Sequence, residues 1–318
     1  MTQDKFNGMK RCPNPPDTEI KPCTAYLEEV TYTQTITIIC KYCGSKNVVK
    51  YGTKGGTQYY LCRDCKHTFA GNDALPGMRF PPDRIAEAIN LFYDGLSIDK
   101  IRRQIDSIYH VYPSDSTVYE WVVRFSKVAT RAAVFSNIKV GNLWMADETV
   151  LSIGGHNLWF WDIIDDKTRF LLASRVSLTR TTRDARALFE QAAIRADKAP
   201  KTVVTDKLYA YLDGLELAFS ADTEHIQSQG FTLQPNTNLI ERFHGTLKSR
   251  TKVMRGLKNI ESAITFTDGW LIHYNFFRPH EALGNRTPGE VAKADFPYKS
   301  WMDVVTRGAT REIGRPSK

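Results

Sequence analysis

The sequence predicts an α/β fold, a mixed sheet layered with helices, preceded by a small cysteine-bearing β-ribbon and a unit of three short helices. Three observations carry this. Two Cys-x2-Cys pairs lie among short β-rich runs near the start of the chain. Three helical apolar patterns then follow in succession from Pro81. After Gly141 the apolar period changes from helical to alternating, and strands go on to interleave with helices, as in a layered α/β domain.

In chain order, residues 1–35 are rich in Pro, Thr and charge, and the run Cys12-Pro13-Asn14-Pro15-Pro16 excludes a helix, so a poorly ordered leader is expected. Cys12 and Cys23 sit in it without any assignable role. Over residues 36–72 the runs ITII, NVVKY and TQYYL alternate with turns at Gly52, Gly55 and Gly56, which predicts small hairpins with too little apolar mass for a core of their own. Residues 80–135 form the helical unit. Ile85, Ile89 and Phe92 make the first buried stripe, which Asp94-Gly95 ends. Ser97 caps a second helix carrying Ile98, Ile101 and Ile105, and a third begins after Pro113-Ser114-Asp115 and buries Val118, Trp121, Val122, Phe125 and Ala129.

Residues 140–295 are the α/β domain. LWMADETVLSI, NLWFWDIID and RFLLASRVSL form a three-stranded meander turning at Gly154-Gly155 and Asp166-Lys167-Thr168. A helix from Thr182 to Asp197, capped by Thr181 with Asp184, leads to the short strand KTVVTD. Helices follow over Leu208–Phe219, Asn238–Met254 and Ile260–Phe277, and residues 296–318 are expected to be a tail.

Composition narrows the function classes. A chain of 318 residues with 42% hydrophobic residues holds two or three compact units. The net charge of +8 and pI near 9.1 favour a polyanionic partner through counterion release. No run approaches the roughly 18 apolar residues that span a bilayer, and the N-terminus lacks the apolar core of a secretory signal, so no membrane partner and a cytoplasmic location are expected. In that reducing compartment cysteines serve better as metal ligands than as disulfides. Cys40, Cys43, Cys62 and Cys65 form two knuckles separated by eighteen residues, the spacing of one structural Zn²⁺ held by four thiolates. His67 lies close by, but four sulfurs already complete a tetrahedron.

The third helix carries Tyr119, Glu120, Arg124 and Lys127 outside its apolar stripe, as a DNA-recognition helix would, and plain three-helix packing gives the same pattern. Three acids stand out by placement. Asp147 lies within the first strand of the α/β domain, where an ionised group needs compensation such as a divalent cation. Asp206 ends the strand VVTD, and Glu241 opens a helix in NLIERFH. Blander roles exist for each: Asp206 as a helix cap, Glu241 as a solvated first-turn acid, and Glu148 in place of Asp147 as the inward residue. Glu148, Asp162, Asp165 and Asp166 are assigned to strand ends and turns.

Fifty-eight residues separate the two aspartates, thirty-four separate Asp206 from Glu241, and Lys248 follows seven residues later on the same helical face. With CKYCGS, YYLCRDCKHTF, WMADETVLSI, VVTDKLYAY, NLIERFHGTLKSR and YNFFRPHEALGNRTPGEVA, the chain from Cys40 to about Ala292 resembles prokaryotic insertion-sequence DDE transposases of the integrase catalytic-core superfamily, with a zinc ribbon and helix-turn-helix in front. The resemblance implies an RNase H-like core in which Asp147, Asp206 and Glu241 converge on two Mg²⁺ or Mn²⁺ ions. It also implies a reaction that frees a 3′-OH at the element's end and joins it to target DNA. Double-stranded DNA, both element ends and target, would be the partner, a homodimer or higher assembly would form on it, and the protein would associate with a prokaryotic nucleoid. Lys248 would contact DNA beside the scissile phosphate. Arg242, Arg250, Lys252, Arg255 and Lys258, with no acid between the first and last, would hold the backbone, aided by Arg124 and Lys127. A catalytically silent DNA-binding regulator and an RNase H-like nuclease that cuts without joining are the alternatives.

Overall fold

A computed structural model describes residues 37–228, 238–253 and 259–313, the last five by backbone alone. The expected leader, with Cys12 and Cys23, and the basic residues Arg255 and Lys258 lie outside the described residues.

The ribbon is an antiparallel sheet of β1 (Val48–Lys54), β2 (Thr57–Cys62) and β3 (Thr68–Ala70). Gly55 and Gly56 both take positive φ (55° and 75°), the left-handed pair that a two-residue hairpin with native twist requires. Of the expected strand ITII, the described residues 37–39 form no strand and lead into the first knuckle instead. Among the described residues of the ribbon the buried cluster is Cys40, Cys62 and Phe69, with Ile38, Tyr42, Val48, Tyr60 and Cys65 partly buried against it, so the core is small.

The helical unit comprises α1 (Pro82–Tyr93), α2 (Ile98–Tyr109) and α3 (Asp115–Ala133). Ser97 and Ser114 cap α2 and α3 by accepting from the backbone N–H of Lys100 and Thr117. The α/β sheet has the order β6-β5-β4-β7-β8. Its meander is β4 (Leu143–Ile153), β5 (His156–Asp165) and β6 (Leu171–Ser177), and β7 (Thr202–Thr205) and β8 (Glu224–Gln227) add in parallel beyond β4. Three antiparallel strands continued by two parallel ones are the RNase H-like arrangement. The short, polar β8 carries no sequence signal of its own. Helices α4 (Thr182–Ala196) and α5 (Tyr209–Phe219) connect β6 to β7 and β7 to β8. Helix α6 (Asn238–Val253) packs on β4 and β5, and α7 (Ile260–Ile272) runs into a π-helical turn, His273–Phe277. A single helical turn, α8 (Pro288–Val291), follows.

Two expectations are corrected. The segment expected as a tail contains α9 (Trp301–Ile313), whose Trp301, Val304 and Val305 are buried against α1 and α3. Nor is the helical unit a separate globule, since its apolar residues and those of the α/β sheet belong to one continuous buried cluster. Helix α3 lies along α7, and Gly269 makes this possible: a Cβ there would fall 1.8 Å from the Tyr93 hydroxyl, which itself bonds Ser126 Oγ at 2.7 Å. No helix among the described residues is long and apolar enough to cross a membrane.

Candidate active site

Parallel pairing of β4 with β7 runs Leu143 to Thr202, Trp144 to Val203 and Met145 to Val204. Continued two residues further, that register sets Asp147 level with Asp206 at the end of β7. Adjacent residues of a strand point to opposite faces, and both faces are used here. On one, Asp147 and its cross-strand neighbour Asp162 meet α6. On the other, Glu148 and its neighbour Trp161 meet α5 at Tyr211.

Carboxylate oxygens of Asp147, Glu148 and Asp206 lie within 4.8 Å of one another. Asp206 accepts from the backbone N–H of Leu208 through Oδ1 (2.9 Å), and its Oδ2 stands 3.8 Å from Arg180. Arg180 also forms an ion pair with Glu148 and covers the Trp159 ring. Burial, and then the Asp147 charge, raise the Asp206 pKa; burial, with a contribution from Asp206, raises that of Glu148. The cluster therefore holds more negative charge than Arg180 neutralises. An all-oxygen donor set short of positive charge fits a hard divalent cation.

On the α6 face, His244 Nε2–H donates to Asp162 Oδ2 at 2.6 Å, while Nδ1 lies 3.4 Å from Asp147 Oδ2. Burial opposes protonation of this imidazole, but its bonds to Asp147 and Asp162 outweigh it and push the pKa up to about 9. Asp162 is wholly buried, and burial raises it to about 6 despite His244. Two expectations change accordingly. Glu148 and Asp162 are not strand-end acids: both carboxylates are buried at mid-strand beside the aspartate pair. Asp162, set between Trp161 and Ile163 in an apolar run, could be found in the sequence on that ground, whereas Glu148, between Asp147 and Thr149, carries no such signal.

Glu241 is not brought into the carboxylate cluster. It is exposed in the first turn of α6, because the buried stripe of that helix is Ile240, Phe243, His244, Leu247 and Arg250, and Glu241 sits at its margin. It nonetheless lies one turn, about 4.5 Å along the axis, ahead of the histidine that touches Asp147. Lys248, Lys252 and Arg242 are exposed on α6. Arg250 is the correction among the expected DNA contacts. It is 2% exposed, with its guanidinium 4.0 Å from the Phe92 ring centroid, and burial lowers its pKa to about 10. It cannot reach a phosphate. On α3, Arg124 is half-buried and Lys127 exposed beside α7, while Tyr119 donates to Ser262 Oγ of α7 at 3.2 Å.

In the ribbon, the Sγ atoms of Cys40 and Cys65, and those of Cys43 and Cys62, are each 3.6 Å apart. That is close to the roughly 3.8 Å edge of a sulfur tetrahedron with zinc–sulfur bonds of about 2.3 Å. Backbone N–H groups of Cys65 and Asp64 lower the Cys62 thiol, while the neighbouring sulfurs raise those of Cys43 and Cys65, so the four thiols share their protons among themselves. His67 stacks on Tyr42 and bonds the Cys65 carbonyl, outside the four-sulfur group.

Residues 141–280 match the family described as a DDE domain. Residues 141–280 carry a DDE domain. Phosphoryl transfer between polynucleotide strands is the chemistry of such a domain, and the paired aspartates of β4 and β7 lie inside its bounds. Among solved structures, the chain is similar to the HTLV-2 integrase catalytic core domain in complex with magnesium, at 16% identity and TM-score 0.40, over 49% of this chain and 99% of that one. It is also similar to the BIV integrase catalytic core, at 17% identity and TM-score 0.36, over 48% and 94%. No curated protein sequence matches the chain.

Proposed function

We propose that the protein is an insertion-sequence transposase that binds the terminal inverted repeats of its element, cuts at the 3′ ends and transfers them to target DNA. The observation that carries this is the levelling of Asp147 with Asp206 on adjacent parallel strands, with the Glu148 carboxylate in the same cluster and only Arg180 and His244 beside it as balancing cations among the described residues. Asp147 and Asp206, with Glu241 as the third acid, would hold Mg²⁺ or Mn²⁺. When bound, these ions supply Lewis acidity toward the scissile phosphate and an ionised nucleophile at neutral pH.

Water attacks phosphorus at the element's end and the bond to the 3′ oxygen breaks, leaving a 3′-OH. That hydroxyl then attacks a target phosphodiester, whose own 3′ oxygen departs. In this scheme His244 is a positioning residue that orients Asp147. Lys248, Arg242 and Lys252 contact the DNA backbone, as do Arg124 and Lys127 from the helical unit, and the four-cysteine ribbon holds one structural Zn²⁺. Two ends must meet for transposition, so a dimer or larger assembly on DNA is part of the proposal.

The test is nicking and joining of labelled duplexes taken from the DNA flanking the gene, with Mg²⁺ or Mn²⁺, by the wild type and Asp206→Ala. Metal-dependent cutting and joining abolished by the substitution is expected. Specific binding without cutting in either metal would favour a regulator, and cutting without joining a nuclease.

A further inference from the structure

Beside α6, opening from the same face of the sheet as Asp147, lies a cavity of about 360 Å³ whose rim is unusually rich in arginine. Arg169 comes from the β5–β6 turn, Arg242 from α6, and Arg278 from the segment after the π-helical turn. Met145, two residues before Asp147 on β4, forms part of the floor, so the cavity borders the carboxylate face. Among the described residues, the only acid in its lining is Asp166, 3.9 Å from Arg169. Arg242 and Arg278 have no carboxylate within 4.0 Å among the described residues. The local balance is therefore three guanidinium groups against one carboxylate.

Two of the three arginines sit on constrained backbone. The backbone N–H of Arg278 donates to the His273 carbonyl at 2.8 Å, and the next residues are clamped by the His280–Arg286 bridge. Arg169 occupies a left-handed conformation (φ 61°) in which glycine or asparagine would cost less. The Arg278 and Arg169 charges lie close enough to His280 to help burial lower its pKa to about 4, so the histidine adds no cation that would crowd them. Three guanidinium groups round one cavity offer a phosphate both positive charge and N–H donors.

We infer that this cavity is a phosphodiester-binding site, in which Arg169 and Arg278, together with Arg242, grip the sugar-phosphate backbone of DNA beside the carboxylate cluster. The inference rests on the transposase reading and adds two residues, Arg169 and Arg278, that the basic stretch of α6 does not contain. Because the ligand is backbone, the grip is independent of base sequence.

The experiment measures equilibrium binding by full-length protein in an Asp206→Ala background, so that no cutting intervenes, across a salt series. The probes are a duplex of the gene's flanking DNA and an unrelated duplex of equal length. Arg169→Gln and Arg278→Gln are each expected to weaken both probes about three- to tenfold and to reduce the slope of log affinity against log salt by about one. Arg278→Lys should recover most of that loss. Arg186→Gln, on α4 and paired with Glu190, should change nothing. Arg169→Gln, in a surface turn, gives the answer if Arg278→Gln fails to fold. Unchanged affinity and slope in both glutamine variants overturns the site, as does weakening confined to the flanking duplex, which would mean base reading. Binding effects as expected, with no cutting by the chain that retains Asp206, would sink the transposase reading and leave the site standing.

Discussion

Asp147, Glu148 and Asp206 show how far a residue's role depends on what faces it. A strand sends alternate side chains to opposite faces, so Asp147 meets His244 and Asp162 while Glu148 meets Arg180. Which acid completes the metal site is open to direct test. With Glu241 as the third ligand, Glu241→Gln should lower the single-turnover cutting rate by at least about a hundredfold, a loss of roughly 3 kcal/mol of transition-state stabilisation. Glu148→Gln, which weakens the contacts with Arg180 and Tyr211, should cost far less. The reverse order would make Glu148 the ligand. A second residue-scale prediction concerns acid. His273 accepts from Trp301 Nε1–H through Nδ1 at 3.3 Å, which requires the neutral ring, and burial lowers its pKa. His280 is likewise lowered, to about 4, by burial and by Arg278. Groups whose folded pKa lies below the unfolded value of about 6.5 contribute fully above that pH and lose the contribution as pH falls. These two histidines pull the melting temperature down as pH drops from about 6.5 toward about 4, while the raised carboxyl of Asp162 pulls it up over the same interval, so the readout is the difference between wild type and Trp301→Phe, which removes the indole donor: that difference should narrow as pH falls.

At the scale of elements, the ribbon and α9 are stabilised by different means. Among its described residues the ribbon buries only Cys40, Cys62 and Phe69, with five partly buried neighbours, so the proposed Zn²⁺ is expected to add stability that this small core does not supply. Cys62→Ser should abolish the one zinc per chain measured by metal analysis and expose the ribbon to protease, while the melting of the α/β body stays close to wild type. Helix α9 depends on packing instead. Trp301 stacks on Tyr93 at 5.4 Å and is 2% exposed, so Trp301→Ala should destabilise the protein by about 3–5 kcal/mol in denaturant titration. A dispensable tail would give no such effect. Elements with a strong period or cap, such as α2 with Ser97 and α4 with its Thr181–Asp184 capping box, are legible in the sequence because their signals are local. Strand β8 is not, since its four residues gain their place only by pairing with β7.

Across the whole molecule, helix α6 joins the carboxylate face to the helical unit. His244 touches Asp147 and Asp162 of the sheet, and further along the same stripe Arg250 lies over Phe92 of α1. All three guanidinium nitrogens of Arg250 lack a hydrogen-bond partner among the described residues. A buried, unpaired cation is costly, and apolar replacements of similar volume are often neutral or stabilising. Arg250→Met should therefore leave the melting temperature equal or higher and DNA affinity unchanged, whereas Lys248→Gln should weaken DNA binding at unchanged stability. The helical spacing of Ile240, Phe243, Leu247 and Arg250 already places this arginine on the buried stripe. Its charge masks that position, because an arginine in a basic run has the usual signature of a surface residue.

Short-range chemistry specifies a definite part of this protein: the four cysteines at knuckle spacing, the helix caps, the meander, and the aspartates of β4 and β7 at their strand positions. Those features follow from local geometry and periodicity, which a linear chain displays directly. Other features exist only once the layers have packed. Glu148, Asp162 and His244 gather at the aspartates, Arg250 turns inward, α9 closes the helical unit, and Arg169 and Arg278 meet Arg242 across more than a hundred residues of chain. Each of these depends on which faces come together, and burial and charge neutralisation are properties of that packing, absent from any single segment.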